Sequence, residues 1–209
     1  MPLQLTLLFD PLCGWCYGAH PALAAVDAEL APDWQLLPTA LFAHPEPMSR
    51  ESADYFWQND QRIAALTGQP FSTAYREQVL DDLATPFDSS AATLAWQLIA
   101  TEKPRQGLAI LHAIQKLRYV NGLQHSPTAL SALAASFGID QATFDAALAQ
   151  GPAPAQLAER EAAQGLMRQH GLRGVPSLLV RLGDASQPID GRLLYDPAAL
   201  LDALRRLTH

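Results

Sequence analysis

The stretch FDPLCGWCYG, residues 9–18, holds both cysteines of this 209-residue chain, Cys13 and Cys16. The apolar run LQLTLLF over residues 3–9 predicts a buried strand that ends at Asp10, and the Ala-rich sequence after Cys13 predicts a helix. A disulfide between residues three apart closes so small a loop that it removes little entropy from the unfolded chain. The pair is therefore predicted to serve chemistry rather than architecture.

The place of Cys13 between strand and helix favours its thiolate, because free backbone N–H groups and the positive end of the helix dipole face its sulfur. We predict Cys13 as the attacking nucleophile. Cys16 lies within the same helical turn, at a separation compatible with a disulfide, and is predicted to be the more buried, resolving thiol. Gly14 is expected to leave Cys13 approachable, and Trp15 to offer an exposed apolar surface beside it.

The residues around this turn predict a strand, a helix and a second strand. Pro21 predicts a kink in the helix, since proline removes one intrahelical hydrogen bond and crowds the carbonyl of Tyr17. WQLLPTALF, residues 34–42, predicts the second strand, and Pro38 favours an edge position for it. Two strands so close in sequence with a helix between them are expected to be parallel and joined by a right-handed crossover.

The rest of the chain divides into two further segments. Helical patterns with capping residues fill residues 46–153, while GVPSLLV, QPIDGRLLY and DPAALLDALRRL predict a strand, a last strand and a terminal helix. We therefore expect an α/β core formed by residues 1–45 and 154–209, with residues 46–153 inserted as an all-helical subdomain.

Composition excludes several partners. The net charge is −7 and no run of Lys or Arg forms a basic stripe, which argues against nucleic acid. The apolar stretches are too short to cross a bilayer, and the N-terminus lacks the pattern of a secretory leader, so a cytoplasmic protein without a membrane partner is expected. A zinc site needs about four ligands, and the chain has neither a second CxxC nor paired histidines, so neither metal nor cofactor is predicted. An inert buried cysteine pair remains an alternative.

Three features of the sequence carry a family resemblance: DPLCGWCYG after a first strand, the long helical insertion, and GVPSLLV after the last insertion helix. Together they resemble the DsbA family, in particular its cytosolic FrnE-like branch. The resemblance implies a thioredoxin fold, a central mixed sheet flanked by helices, with a large all-helical insertion. It also implies a disulfide oxidoreductase in which Cys13 attacks and Cys16 resolves. Pro176 would be cis and face the cysteines, and the main chain of Val175 would hold the substrate; from the residues alone, a trans bond is expected.

The expected partners are disulfide- or thiol-containing proteins, with glutathione as a further candidate. The Gly-Trp pair between the cysteines matches neither the Gly-Pro of reducing thioredoxins nor the Pro-His of strongly oxidising DsbA, so the redox direction stays open. One alternative is a glutathione-dependent enzyme resembling kappa-class transferases and 2-hydroxychromene-2-carboxylate isomerases, which usually lack the equivalent of Cys16. A non-catalytic chaperone or binding module is another.

Some residues near the cysteines have less defined roles. Leu7 stands where many thioredoxin-like proteins carry a buried acid that moves protons at the resolving cysteine. Asp10 is expected to be a turn or cap residue, with catalysis as the alternative. His20 is expected to face solvent, with tuning of a thiolate as the alternative. The aromatic residues 55–57 are expected in the core, with the alternative that one lines the substrate groove.

Overall fold

The computed structural model describes residues 3–208; Met1, Pro2 and His209, at the outer ends of the expected terminal segments, lie outside the described residues. Within that range one sheet has the strand order β2-β1-β3-β4. Its strands are β1 (Gln4–Phe9), β2 (Asp33–Pro38), β3 (Ser177–Leu182) and β4 (Ala185–Pro188). The β1–β2 pair is parallel, and the other two pairs are antiparallel. β2 is thus an edge strand, as Pro38 predicts.

Ten α-helices occur within residues 3–208. They are α1 (Gly14–Gly18), α2 (His20–Leu30), α3 (Arg50–Thr67), α4 (Thr73–Tyr75), α5 (Ser90–Glu102), α6 (Gly107–Tyr119), α7 (Pro127–Ser136), α8 (Gln141–Gln150), α9 (Pro154–Gln169) and α10 (Pro197–Thr208). No helix in this range is both long and apolar enough to cross a membrane.

The two faces of the sheet are covered by different helices, because successive side chains of a strand point to opposite faces. Leu5, Leu7 and Phe9 of β1 belong to the main core. The helical residues of this core come from α1, α2, α5, α6, α7, α8 and α10 and include Leu23, Val26, Trp96, Ile99, Leu200 and Leu204. On the other face, Leu8 packs with Ala163 of α9.

A second apolar cluster lies between α1 and the middle segment. Its buried members are Tyr17, Ala53, Ile63, Phe71, Tyr75, Val79, Leu80 and Tyr119. Tyr17, the residue after Cys16, stacks on Tyr119 with ring centroids 5.0 Å apart. The helices of residues 46–153 are thereby packed against the cysteine turn itself.

Two local expectations differ from the structure in detail. The helix after Cys13 is divided at Ala19, and Pro21 lies in the first turn of the second part, where its missing N–H costs nothing. The predicted last strand is wrong for GRLLY: Gly191–Tyr195 is a 3₁₀-helix that begins where the Asp190 side chain accepts the Arg192 N–H. The strand that pairs with β3 lies just before it. Residues 73–80 lie within the predicted helical segment and form α4 and a single turn of π-helix.

Candidate active site

Cys13 is the N-cap of α1, at the point where the chain leaves β1. Its N–H donates to the Asp10 carbonyl at 3.1 Å, which forms the turn, and its carbonyl accepts the Tyr17 N–H at 3.1 Å. Cys13 is 8% exposed and Cys16 3% exposed, so Cys16 is the more buried thiol, as predicted. Cys13 is thus placed where the strand ends and the helix begins, and its side chain makes no capping hydrogen bond to the helix N–H groups.

Cys16 is enclosed by protein. Burial raises the pKa of the Cys16 thiol well above its usual value, and the neighbouring Cys13 sulfur adds to the rise. The Asp10 carboxyl raises this pKa further, while the Asp10 main chain lowers it. Cys16 therefore carries its proton at neutral pH.

The Val175–Pro176 peptide bond is cis, as the family resemblance implies and contrary to the expectation from the residues alone. It precedes β3, whose partner β1 leads into the cysteine turn. The Cys13 thiol donates a hydrogen bond to the Val175 carbonyl at 3.4 Å. The cysteine turn and the Val175–Pro176 segment therefore contact each other at the Cys13 sulfur, although Cys13 and Val175 are 162 residues apart in the sequence.

Trp15 is half-buried rather than exposed. Its ring packs edge-on against Tyr195, with centroids 5.1 Å apart, and the indole belongs to the residues that surround the main core. Tyr195 ends the 3₁₀-helix that replaces the expected strand, which explains why the contact was missed. Trp15 still borders the cavity beside Cys13.

Gly14 and Gly18 lie four residues apart on one face of α1, and α3 packs against that face. A Cβ on Gly14 would lie 2.3 Å from Asp60 Oδ1, and one on Gly18 would lie 2.5 Å from Ile63 Cγ2. Real Cβ contacts are never this short, so both glycines are needed for α3 to approach. Gly14 therefore admits a carboxyl group next to the cysteine turn, in addition to the expected access for a partner.

Asp60 is a buried acid that the sequence analysis did not identify. It is 6% exposed, and its Oδ2 accepts a hydrogen bond from the Tyr75 hydroxyl at 2.8 Å. Burial raises the pKa of Asp60 to about 7, against the lowering effects of that hydrogen bond and of the Arg118 guanidinium. The sequence contains a sign of this burial, because one acid lies on the apolar face of the helix. That face is formed at three- and four-residue spacing by Ala53, Phe56, Asp60 and Ile63.

A cavity of about 250 Å³ opens beside Cys13 and is shared with Asp60. Its wall is mainly apolar and aromatic, formed by Leu12, Trp15, Phe42, Tyr55, Phe56, Ile63, Tyr75, Phe87 and Tyr119. Tyr55 is 63% exposed, so the expectation that it belongs to the core is wrong. Tyr55 and Phe56 line the cavity, the alternative considered for this segment, whereas Trp57 packs near Tyr75 with ring centroids 6.3 Å apart.

Asp10 connects three segments. Its Oδ1 accepts the Leu12 N–H at 2.9 Å, and its Oδ2 accepts the Phe42 N–H at 3.0 Å and the Ser89 hydroxyl at 2.9 Å. Burial raises the pKa of Asp10, and these hydrogen bonds oppose the rise. The turn role expected from the sequence is present, and the carboxyl also attaches the segments after β2 and before α5 to the cysteine turn.

His20 is half-buried, whereas a solvent-facing position is expected. Its ring stacks on His112 of α6, with centroids 3.6 Å apart and planes 7° from parallel. Burial lowers the pKa of each histidine to about 4, so both rings are neutral at pH 7. Among residues 3–208, no group of three or more His, Cys, Asp or Glu side chains is placed to hold a metal ion.

Comparisons with known proteins identify the family. A family model described as a DSBA-like thioredoxin domain matches residues 4–202. The solved structure of the cytosolic disulfide reductase DsbM from Pseudomonas aeruginosa is 33% identical, with a TM-score of 0.84 over 98% of this chain and 100% of that one. A second structure, of that reductase with GSH, is 32% identical, with a TM-score of 0.83 over 99% of each chain.

Two more distant structures share the fold. A putative protein disulfide isomerase from Nitrosomonas europaea is 23% identical, with a TM-score of 0.81 over 100% of this chain and 96% of that one. A 2-hydroxychromene-2-carboxylate isomerase is 18% identical, with a TM-score of 0.63 over 98% and 97%. No significant match was found among curated protein sequences.

The predicted fold class is confirmed: a mixed four-stranded thioredoxin-like sheet is combined with a large set of helices. The family model covers nearly the whole chain, and a solved relative is 33% identical across it. The chain therefore belongs to the DsbA-like thioredoxin domain family, a family of thiol-disulfide oxidoreductases.

Proposed function

We propose that this protein is a cytoplasmic disulfide reductase that acts through the Cys13-Gly-Trp-Cys16 dithiol, with Cys13 attacking and Cys16 resolving. The observation that carries the proposal is the asymmetry of the two sulfurs. Cys13 caps a helix N-terminus, contacts the Val175 carbonyl and borders an open cavity, whereas Cys16 lies beneath it with a pKa raised by burial. The surroundings of Cys13 suit an attacking thiolate, and those of Cys16 suit a resolving thiol that stays protonated until the mixed disulfide has formed.

In the first step, the Cys13 thiolate attacks one sulfur of a substrate disulfide. A new bond joins Cys13 to that sulfur, and the second substrate sulfur leaves with the bonding electron pair. In the next step, the Cys16 sulfur attacks Cys13, the mixed disulfide breaks, and the remaining substrate thiolate takes up the proton that Cys16 gives up. The enzyme ends as the Cys13–Cys16 disulfide, and a thiol donor must reduce it again.

The residues around Cys13 are proposed to hold the substrate. The Val175 carbonyl accepts the Cys13 thiol hydrogen in the free protein. Once Cys13 has lost that proton, the main chain at Val175 and Pro176 is available to an incoming peptide next to the sulfur. Gly14 and Trp15 border the same cavity and complete the proposed binding surface.

The redox direction and the thiol donor are proposed from the similarity of this chain to solved structures. The reductase DsbM shares 33% identity across essentially the whole chain, and its structure with GSH has nearly the same similarity to this chain. We propose glutathione as the thiol donor, and mixed disulfides of proteins or small thiols as the disulfide substrates. The 2-hydroxychromene-2-carboxylate isomerase shares only the fold, and the second cysteine argues against that type of reaction.

The proposal is tested by trapping the mixed disulfide. A Cys16→Ser variant treated with glutathione disulfide should accumulate one glutathione per chain on Cys13, detected by mass spectrometry of the intact protein and of its peptides. Cys13→Ser, the matched control, should accumulate none, because a buried and protonated Cys16 is a poor nucleophile. An adduct on Cys16 in the control, or no adduct on Cys13 in the trap, would contradict the assigned roles.

The direction is tested separately by a redox titration of the wild-type protein in glutathione buffers, followed by thiol alkylation. A two-electron transition near −270 mV, the range of reducing thioredoxins, is expected for a reductase. A value between about −200 and −120 mV would identify an oxidant or isomerase instead.

A further inference from the structure

Asp60 meets the cysteine turn from outside the thioredoxin core. It lies on α3, and its Oδ1 occupies the space that a Cβ on Gly14 would need, 2.3 Å from the position of that atom. The same carboxyl group and Cys13 line one cavity of about 250 Å³. A disulfide that reaches the Cys13 sulfur through this cavity would enter a space that is also lined by a buried carboxyl group.

The partners of Asp60 leave one oxygen available. The Tyr75 hydroxyl holds Oδ2 at 2.8 Å, and within residues 3–208 no hydrogen bond is found to Oδ1. The Arg118 guanidinium lies over the Tyr75 ring, 5.5 Å from its centroid, and the Tyr119 hydroxyl donates to the Leu12 carbonyl instead. The titratable and charged groups that interact with Asp60 are Tyr75 of α4 and Arg118 and Tyr119 of α6, and Cys13, the N-cap of α1, lines the same cavity.

The proposed reaction needs a proton at this place. When Cys13 attacks an alkyl disulfide, the departing sulfur leaves as a thiolate, and alkyl thiolates are poor leaving groups because their thiols have a pKa near 8.5. Cys16 keeps its proton until the second step, and both oxygens of Asp10 are occupied by hydrogen-bond donors. Position 7, where many thioredoxin-like proteins have an acid, is a buried leucine.

We propose that Asp60 is a catalytic acid that delivers a proton through Oδ1 to the thiolate expelled from the substrate disulfide by Cys13. This inference rests on the proposed function and adds a residue to it. Burial raises the pKa of Asp60 to about 7, so a substantial fraction of the protein carries the proton at neutral pH. A pKa near the working pH is the one at which an acid catalyst is most effective.

The bond between the two substrate sulfurs breaks, and a bond forms between Cys13 and one of them. The other sulfur takes the electron pair and the Asp60 proton, and it leaves as a thiol while Asp60 becomes a carboxylate. The cavity is open to solvent, so water returns the proton to Asp60. The Cys13 sulfur is oxidised from the thiolate to the disulfide level, the departing sulfur is reduced from the disulfide to the thiol level, and the sulfur bonded to Cys13 stays at the disulfide level.

The test compares two substrates that differ in their need for a proton. Glutathione disulfide expels an alkyl thiolate, whereas 5,5′-dithiobis(2-nitrobenzoate) expels an aromatic thiolate that leaves without protonation. Single-turnover rates are measured with the reduced protein for the wild type and for Asp60→Asn, which keeps an acceptor for Tyr75 but cannot donate an acidic proton. We expect the variant to lose at least tenfold in the glutathione disulfide rate and less than twofold in the aromatic rate.

The pH profile gives a second readout. In the wild type, the ratio of the glutathione disulfide rate to the aromatic rate should fall above about pH 7, since the acid form disappears there; in Asp60→Asn, the ratio should not depend on pH. Glu51→Gln, which changes an exposed carboxyl group on the same helix α3, should leave both rates and the profile unchanged. Equal slowing of both substrates, or no slowing of either, would overturn the proposal.

Tyr75→Phe provides an independent variant should Asp60→Asn fail to fold. The Tyr75 hydrogen bond lowers the pKa of Asp60, so its removal should move the downturn of the rate ratio to higher pH while the acid stays in place. A downturn that does not move would contradict the assignment. If the wild-type protein itself failed to react with the aromatic disulfide at Cys13, the proposed function would fail rather than the role of Asp60.

Discussion

Replacing Asp60 with asparagine is expected to change how the stability of the protein depends on pH, independently of any role in catalysis. Asp60 is 6% exposed, and burial raises the pKa of its carboxyl group from 3.8 to about 7. Above pH 7 the folded protein must hold this carboxylate in a site that disfavours its charge, whereas the unfolded chain holds it in water. The wild type is therefore less stable there than it would be with a neutral group of the same shape.

The direction and size of this change in stability follow from the difference between the pKa values of Asp60 in the folded and unfolded states. The pKa is higher in the folded state, so the stability contributed by Asp60 is complete below pH 3.8 and is lost as the pH rises through about 7. A shift of about 3 units corresponds to about 4 kcal/mol, at about 1.4 kcal/mol for each unit. Asparagine keeps the acceptor for Tyr75 and does not titrate. The free energy of unfolding of Asp60→Asn relative to the wild type should therefore increase by about 4 kcal/mol between pH 4 and pH 8.

Urea unfolding at intervals of one pH unit measures this difference, and groups that titrate alike in both proteins cancel from it. Glu161→Gln removes an exposed carboxyl group on α9 and serves as the control, for which a nearly constant difference is expected. The m-value should agree between the proteins at each pH. A difference for Asp60→Asn that stays flat across this range, or that falls as the pH rises, would refute the conclusion that burial sets the protonation of Asp60.

Two further outcomes are expected. Ser89→Ala removes a buried hydroxyl that donates to the Asp10 carboxyl at 2.9 Å, and it should lower the free energy of unfolding in urea at pH 7 by about 1.5–3 kcal/mol. The control Ser136→Ala, at an exposed helix end, should lower it by less than about 0.5 kcal/mol. Equal losses would contradict a stabilising role of the hydrogen bond between Ser89 and Asp10. Burial and the neighbouring His20 lower the pKa of His112 to about 4, so His112 stabilises the fold above its unfolded pKa of 6.5, and this contribution is lost as the pH falls through about 4. His112→Gln should therefore reduce the loss of stability between pH 7 and pH 5 by about 1 kcal/mol, a value that allows for solvent screening of a half-buried ring. An unchanged loss of stability would argue against this role of His112.

The sequence predicts most of the core elements because their signals are local. The apolar run of β1, the helix after Cys13 and the capping residues Ser49, Asp140 and Asp196 each act within a few positions of themselves, and the structure has each of them. The expected place of Cys16 below Cys13 also follows from one helical turn.

The errors occur where distant contacts decide the local conformation. GRLLY has the composition of a strand, yet β3 is already paired by the residues before it, and Tyr195 is used to pack against Trp15. The residues around His20 in its own segment favour a solvent-facing ring, but α6 brings His112 onto that ring. Local patterns contain no information about which helix will cover them, so burial of these side chains could not be predicted from their own neighbours.

The absence of an acid at position 7 and the presence of one at position 60 have a common structural basis. Leu7 lies in the main apolar core, where an unpaired carboxyl group would be costly. α3 instead brings an acid to the cysteine turn, because Gly14 and Gly18 remove the two Cβ atoms that would meet its side chains. On this reasoning, the glycines of CGWCYG and the acid of α3 form one functional unit. Gly14→Ala should therefore displace Asp60 and reproduce the substrate dependence of Asp60→Asn, with the glutathione disulfide rate falling more than the aromatic rate. A variant that lost both rates equally would show that Gly14 serves the cysteine turn alone.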